Sequence, residues 1–318
     1  MNAKEFIKKY AYQLEGFLDI NQADTSRFHK AYLELSSDDR AFYDHENDKI
    51  HLGVTTFPVD EMFEELRHAF DNEVFNNGDI DVIEALYYMA NRYLLGHEIQ
   101  HKRSTRQKDF TAAQDGFIRS LYEEVSRYLK DGYTFRTDKD YDIYPEKLCS
   151  RGYLLDENVI RKMAHGIVNA IEDGRIERIR SLKKPGFAKY TSLFRSVIWM
   201  CDNSIDSFPV GEPGNKESLI IIINQALSLA TSRVYQKGYL SKYGDTKLHR
   251  TVKLMVPFIK EGVFSSNSRG IVSPAMNIAK IIATYFINVA SDSNGMSDLS
   301  KSMVLFSTLN DASFFTLN

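Results

Sequence analysis

The sequence predicts a mainly α fold carrying a small, minor sheet, and three observations predict it. Apolar residues recur at intervals of three and four over most of the chain, the signature of amphipathic helices. Strand-like alternation is confined to one short stretch, Ile50, Leu52 and Val54 in "DKIHLGVTTFP". The periodic segments are punctuated by stop signals such as "NNGD", "KKPG" and "SSNSRG".

The elements follow in order. Residues 3–18 and 24–36 read as two amphipathic helices, and the alternating stretch near 50–54 as a strand. Pro58 and Asp60 open a helix running to about Phe75, where "NNGD" at 76–79 ends it and caps the next, about 79–104. A helix at 111–130 precedes "DGYTFRTDKDYDIYPEKLCSRGY", whose Asp, Tyr and Gly content reads as a loop. A long helix from Asp156 to about Leu182 ends at "KKPG". Further helices are expected at 187–201, 216–236, 246–262 and 273–291. The stretch 203–215, with two Pro and two Gly, is the best boundary, dividing residues 1–202 from a helical C-terminal region, 203–318.

Composition excludes several classes. With 43% apolar and 26% charged residues in 318, the chain is globular and no segment is disordered by composition. A formal charge of -3 gives no whole-chain attraction to nucleic acid or to an anionic membrane. Two cysteines, Cys149 and Cys201, are too few for a disulfide framework and wrongly spaced for a thiolate zinc site. The N-terminal "MNAKEFIKKYAYQLEGFLDI" lacks the continuous apolar run of a signal peptide, and "LIIIINQALSLA" is too short to span a bilayer. These readings lead to the expectation of a soluble, cytoplasmic protein, not held by a membrane.

One motif carries chemistry. In "LLGHEIQHK", His97, Glu98 and His101 spell His-Glu-x-x-His, which on a helix sets two imidazoles one turn apart where they can converge on one ion. Ile83, Tyr87, Ala90, Leu94, His97 and His101 follow at intervals of four, three, four, three and four, a single stripe expected to face inward. Glu98 lies beside the pair, and Gly96 removes a side chain next to it. A third ligand is sought on the 156–182 helix, where Ile160, Ala164, Ile167 and Ile171 mark the core face. Projected at about 100° per residue, Glu172 falls at the edge of that stripe, where a carboxylate needs a cation. Glu172 is therefore the expected third ligand, with Asp173 as second choice or as an acceptor orienting an imidazole. His165 is expected to line the site or pack.

The motif together with "NAIEDGRIERIRSLKKPGFAKY" resembles zincin-like metallopeptidases. It is also similar to the Glu-Asp-x-Arg-Ile-Glu and Pro-Gly element of the peptidase-like region in von Willebrand A-associated proteins of the cobalt-chelatase and nitric-oxide-reductase-activation type. The likeness covers about residues 80–105 and 165–195. It implies a zincin core with additional C-terminal helices, Zn2+ on His97, His101 and a downstream acid matched to Glu172, Glu98 as general base, and a peptide or protein substrate. Departures are visible: no third His follows His101 in "KRSTRQKDF", and "DNSID" lacks the second Ser of a metal-adhesion motif.

The competing expectation is a helical interaction or assembly protein with a structural or vestigial metal, its C-terminal helices binding a partner such as an ATPase. Two basic runs, "HKRSTRQK" and "RIERIRSLKK", read foremost as solvated helix faces, with nucleic acid the weaker expectation. Both follow the proposed ligands, so they also suit an acidic substrate.

Overall fold

The computed structural model describes residues 2–22, 30–57, 59–69, 79–128, 157–202, 204–211 and 215–291. Within these the chain is mainly helical, with one three-stranded mixed sheet. Contacts divide it into two units. One joins Met1–Gln107 to Ile176–Asn203, and the other joins Lys108–Arg175 to Ser204–Leu317. One division falls between residues 203 and 204, and the described residues of 108–175 group with the C-terminal helices.

The first unit begins with α1 (Ala3–Gln22), followed by β1 (Tyr32–Ser36), β2 (Ala41–Asp44) and β3 (Lys49–Gly53). β3 is the central strand, parallel to β1 and antiparallel to β2. Residues 32–36 correct the expected helix over 24–36: the stretch "YLELS" is a strand, and residues 23–29 lie outside the described ones. Leu33 and Leu35 alternate with Tyr32, Glu34 and Ser36 and turn their side chains to the core, where β3 buries Ile50 and Leu52. β2 is likewise a strand that the sequence did not announce. Its hairpin closes through Asp44, whose carboxylate accepts from the backbone N–H groups of Glu46 and Asn47, and through Asp48 at φ 49°.

α1 packs against β1 of that sheet, and two further helices follow. α2 (Val59–Ala69) starts after Pro58 as expected; the end foreseen near Phe75 and the "NNG" stop lie outside the described residues. α3 (Asp79–Ser104) matches the expected span and packs against α1, α2, β2 and β3. Its burial departs from a single stripe. Tyr87 and Ala90 are buried as foreseen and Leu94 and His97 are half-buried, yet Leu95, Gly96, Glu98, Ile99 and Gln100 are buried too. The second half of α3 is surrounded, so its inward face covers most of the helix.

After α4 (Gln107–Tyr128), the loop expected at 131–153 lies outside the described residues. α5 (Glu157–Lys183) is one unbroken 27-residue helix, and the division between units falls inside it at Arg175 and Ile176. Lys184 ends it and Pro185 opens α6 (Pro185–Cys201), where a missing N–H costs nothing at the first helical position. α6 packs on α2 and α3 and contributes Phe194 to the first core.

The second unit gathers α4, the first part of α5, α7 (Asn215–Thr231), α8 (Tyr239–Tyr243), α9 (Lys247–Val263) and α10 (Val272–Ser291). α7 stops at Thr231, short of the expected 236: Arg233 takes φ 64° and Ser228 caps the turn. α9 packs on α7 and α10, and its N-cap Thr246 accepts from the His249 N–H. The stretch Ser268–Asn288 is long and apolar enough to cross a membrane by length and composition. Ala275, Ile278, Ala279, Ile282, Ala283 and Phe286 of that stretch are buried in the second core.

Candidate metal centre

The end of α3 and the middle of α5 hold the site. His97 Nδ1 lies 2.9 Å from Glu177 Oε1, and His101 Nδ1 lies 3.1 Å from Thr105 Oγ1. Both remaining ring nitrogens then face each other, Nε2 to Nε2, at 3.1 Å. Two nitrogens about 2.0–2.1 Å from one tetrahedral zinc stand roughly 3.3 Å apart, so the spacing fits a shared ion. A carboxylate joins them: ligand atoms of His97, His101 and Asp173 all lie within 4.8 Å of one another.

Helix periodicity explains why Asp173 joins. Glu177, bonded to His97, sits one turn after Asp173 on the same unbroken helix, so the two carboxylates share a face. Asn169, one turn earlier still, donates its amide to Asp173 Oδ2 at 3.0 Å and so orients the carboxylate. Asp173 is 8% exposed, and burial of a carboxylate at that level asks for cationic or hydrogen-bonding partners.

Glu172, the first choice for third ligand, is placed elsewhere. Its carboxylate receives both Arg175 Nε at 2.6 Å and Arg175 Nη2 at 2.5 Å, in a pair with both side chains essentially out of solvent. A bidentate guanidinium uses both oxygens. The structure groups Asp173, the second choice, with the histidines. Glu98 is buried, and His165 is exposed, its Nδ1 meeting the Gln114 amide at 2.9 Å.

Glu177 was not singled out by the sequence. Burial raises its carboxyl pKa, but the hydrogen bond to His97, then the charges of Arg195 and Arg180, more than offset this and hold it below the usual range. An ionised Glu177 accepts Nδ1–H and thereby fixes His97 in the tautomer whose Nε2 is a bare lone pair. The pair Asp173 and Glu177 at i, i+4 is the signal that would have found it: two acids on one helix face repel unless a cation or imidazole lies opposite. Around the site, Tyr93 Oη accepts from Arg195 Nε at 3.3 Å. Burial, and then Glu177, push the Tyr93 phenol up. His45, in the turn after β2, is held below its ordinary value by burial and then by His101, which puts the hairpin close to the histidines.

No protein-family model matches the chain, and it shows no significant similarity to a curated protein or to a solved structure.

Proposed function

We propose that this chain is a zinc-dependent metallohydrolase, foremost a peptidase, with His97, His101 and Asp173 as ligands and Glu98 as general base. The observation that carries the reading is the convergence of two imidazole Nε2 atoms at 3.1 Å beside a buried carboxylate. Two bridges fit facing nitrogens: a hydrogen bond with His101 as donor, or a cation taking both lone pairs. The carboxylate favours the cation, because two imidazoles and a carboxylate are a three-ligand set for a divalent transition metal with a position left for substrate or water.

When bound, zinc would supply Lewis-acid polarisation of a scissile carbonyl and activation of water near neutral pH. The chain's own residues do the rest. Glu177 and Thr105 orient the two imidazoles through Nδ1, and Asn169 orients the Asp173 carboxylate through Oδ2. Glu98, next to His97 on α3, takes a proton from the attacking water on its carboxylate and delivers it to the leaving amine.

The test is turnover against metal content. Zinc-loaded wild type is expected to cleave members of a peptide library read by mass spectrometry. Glu98→Gln should keep its zinc and lose about 10²–10⁴-fold in rate. Cleavage that survives Glu98→Gln, or none at all from zinc-loaded folded protein, would overturn the peptidase assignment.

A further inference from the structure

A second feature lies in the first unit alone, where a pocket of about 360 Å³ is lined by Asn21, Gly96, Gln100 and four cations, Arg103, Arg180, Lys183 and Lys184, with Ile99. No carboxylate lines it among the described residues. We propose that this pocket binds a small dianion, a phosphate ester or a dicarboxylate, held by Arg103, Arg180 and the two lysines.

The pocket is built for that. Arg180 is 5% exposed, and its guanidinium carbon stacks 3.2 Å from the centroid of the Phe187 ring. The same guanidinium lies against the backbone of α3 at Gly96, where a Cβ would collide with it. Gly96 is thus the residue that lets a buried cation reach the pocket floor. Lys184 Nζ is tethered from the other side, donating to Asn21 Oδ1 at 2.7 Å, while the Asn21 amide donates to the Phe17 carbonyl. A planar guanidinium fork held in place before the ligand arrives pays little ordering entropy and matches carboxylate or phosphate oxygens two at a time.

Charge sets the ligand's sign and size. Four cations line one pocket and favour a negatively charged ligand there; Glu177, whose charge acts with Arg180, also serves His97 and Arg195. An anion of two charges presents several oxygens, enough to meet more than one of these cations at once. A volume near 360 Å³ suits a small molecule or the end group of a larger one, at the lower end of ligand pockets. The basic run "RIERIRSLKK" is therefore not a solvated face: Arg175 and Arg180 are buried, and the run ends in this pocket.

The inference stands independently of the metal centre, and calorimetry on the full chain tests it. Inorganic phosphate and succinate are titrated separately at constant ionic strength, with and without a chelator so that an anion held by a metal is recognised. Saturable binding of one anion per chain, unchanged by the chelator, is expected. Phosphate alone assigns a phosphate ester, succinate alone a dicarboxylate, and comparable binding of both the shared dianion chemistry. Gly96→Ala, Arg180→Gln and the milder pair Lys183→Gln with Lys184→Gln should each weaken binding about tenfold or more. Lys253→Gln, an exposed lysine of the second unit, should leave it unchanged. No binding by folded wild type would overturn the proposal. So would binding indifferent to the Lys183 and Lys184 pair, or binding abolished by the chelator.

Discussion

Replacing Glu172 by Ala separates a structural carboxylate from a ligand. Glu172 is 0% and Arg175 1% exposed, joined by two hydrogen bonds of 2.6 and 2.5 Å. Removing the acid takes two hydrogen bonds from a buried guanidinium, and losing one partner of a buried pair costs about 3–5 kcal/mol. For a unit of this size each kcal/mol lowers Tm by roughly 2–4 °C, so a fall on the order of 10 °C is expected. The assay is thermal unfolding of metal-free protein by circular dichroism, beside zinc affinity measured well below Tm. Zinc affinity should stay near that of wild type, because Asp173 and not Glu172 lies with the histidines. Replacing the pair together, Glu172→Met with Arg175→Leu, should recover most of the lost stability, since apolar residues of similar volume commonly substitute for a buried pair. The reasoning is refuted if Glu172→Ala leaves metal-free stability unchanged and abolishes zinc binding.

Four further expectations follow from the structure. Glu177→Gln should weaken zinc about 10–100-fold without removing a ligand, read by competition with a chromogenic chelator, because it takes away the charged acceptor at His97 Nδ1. Zinc affinity of wild type should fall in acid, because an imidazole binds metal only as the neutral ring. Metal-free stability should show a separate acid limb. The Glu177 carboxyl is depressed in the folded chain, so its contribution is complete above the unfolded value near 4.3, falls as pH drops through the folded value, and should be absent in Glu177→Gln. Finally, Gly174→Ala should cost about 1–3 kcal/mol in denaturant unfolding, since a Cβ there meets the Ala230 carbonyl and Val263 within the second unit.

Legibility differed from element to element for physical reasons. α3, α5, α9 and α10 were readable to within a residue or two because a 3.6 period and terminal Pro, Gly or Thr agree on their ends. β1 was not, since Leu33 and Leu35 in a five-residue strand give too few turns of the period to separate it from a helix. The same limit hid β2, four residues long. At the site, the two histidines were legible from spacing alone, whereas the third position was not. The projection of α5 assumed one buried and one solvated face, which would put Asp173 outward. From Ala170 to Glu177 every residue is buried, so the helix has no outer face there and the projection cannot rank Glu172 over Asp173. What selects between them is the partner each meets: Arg175 takes the first, and Asn169 orients the second. Gly96 was read as making room for a neighbour, and the neighbour is Arg180.

The central claim is a metal ion on His97, His101 and Asp173, and elemental analysis of untagged protein after zinc loading and dialysis tests it most directly. The account predicts about one zinc per chain in the wild type and in Glu172→Gln, and loss of that zinc in His101→Ala and Asp173→Ala variants that remain folded. A folded wild type that holds no zinc after loading, or one whose zinc survives Asp173→Ala but not Glu172→Gln, would contradict it.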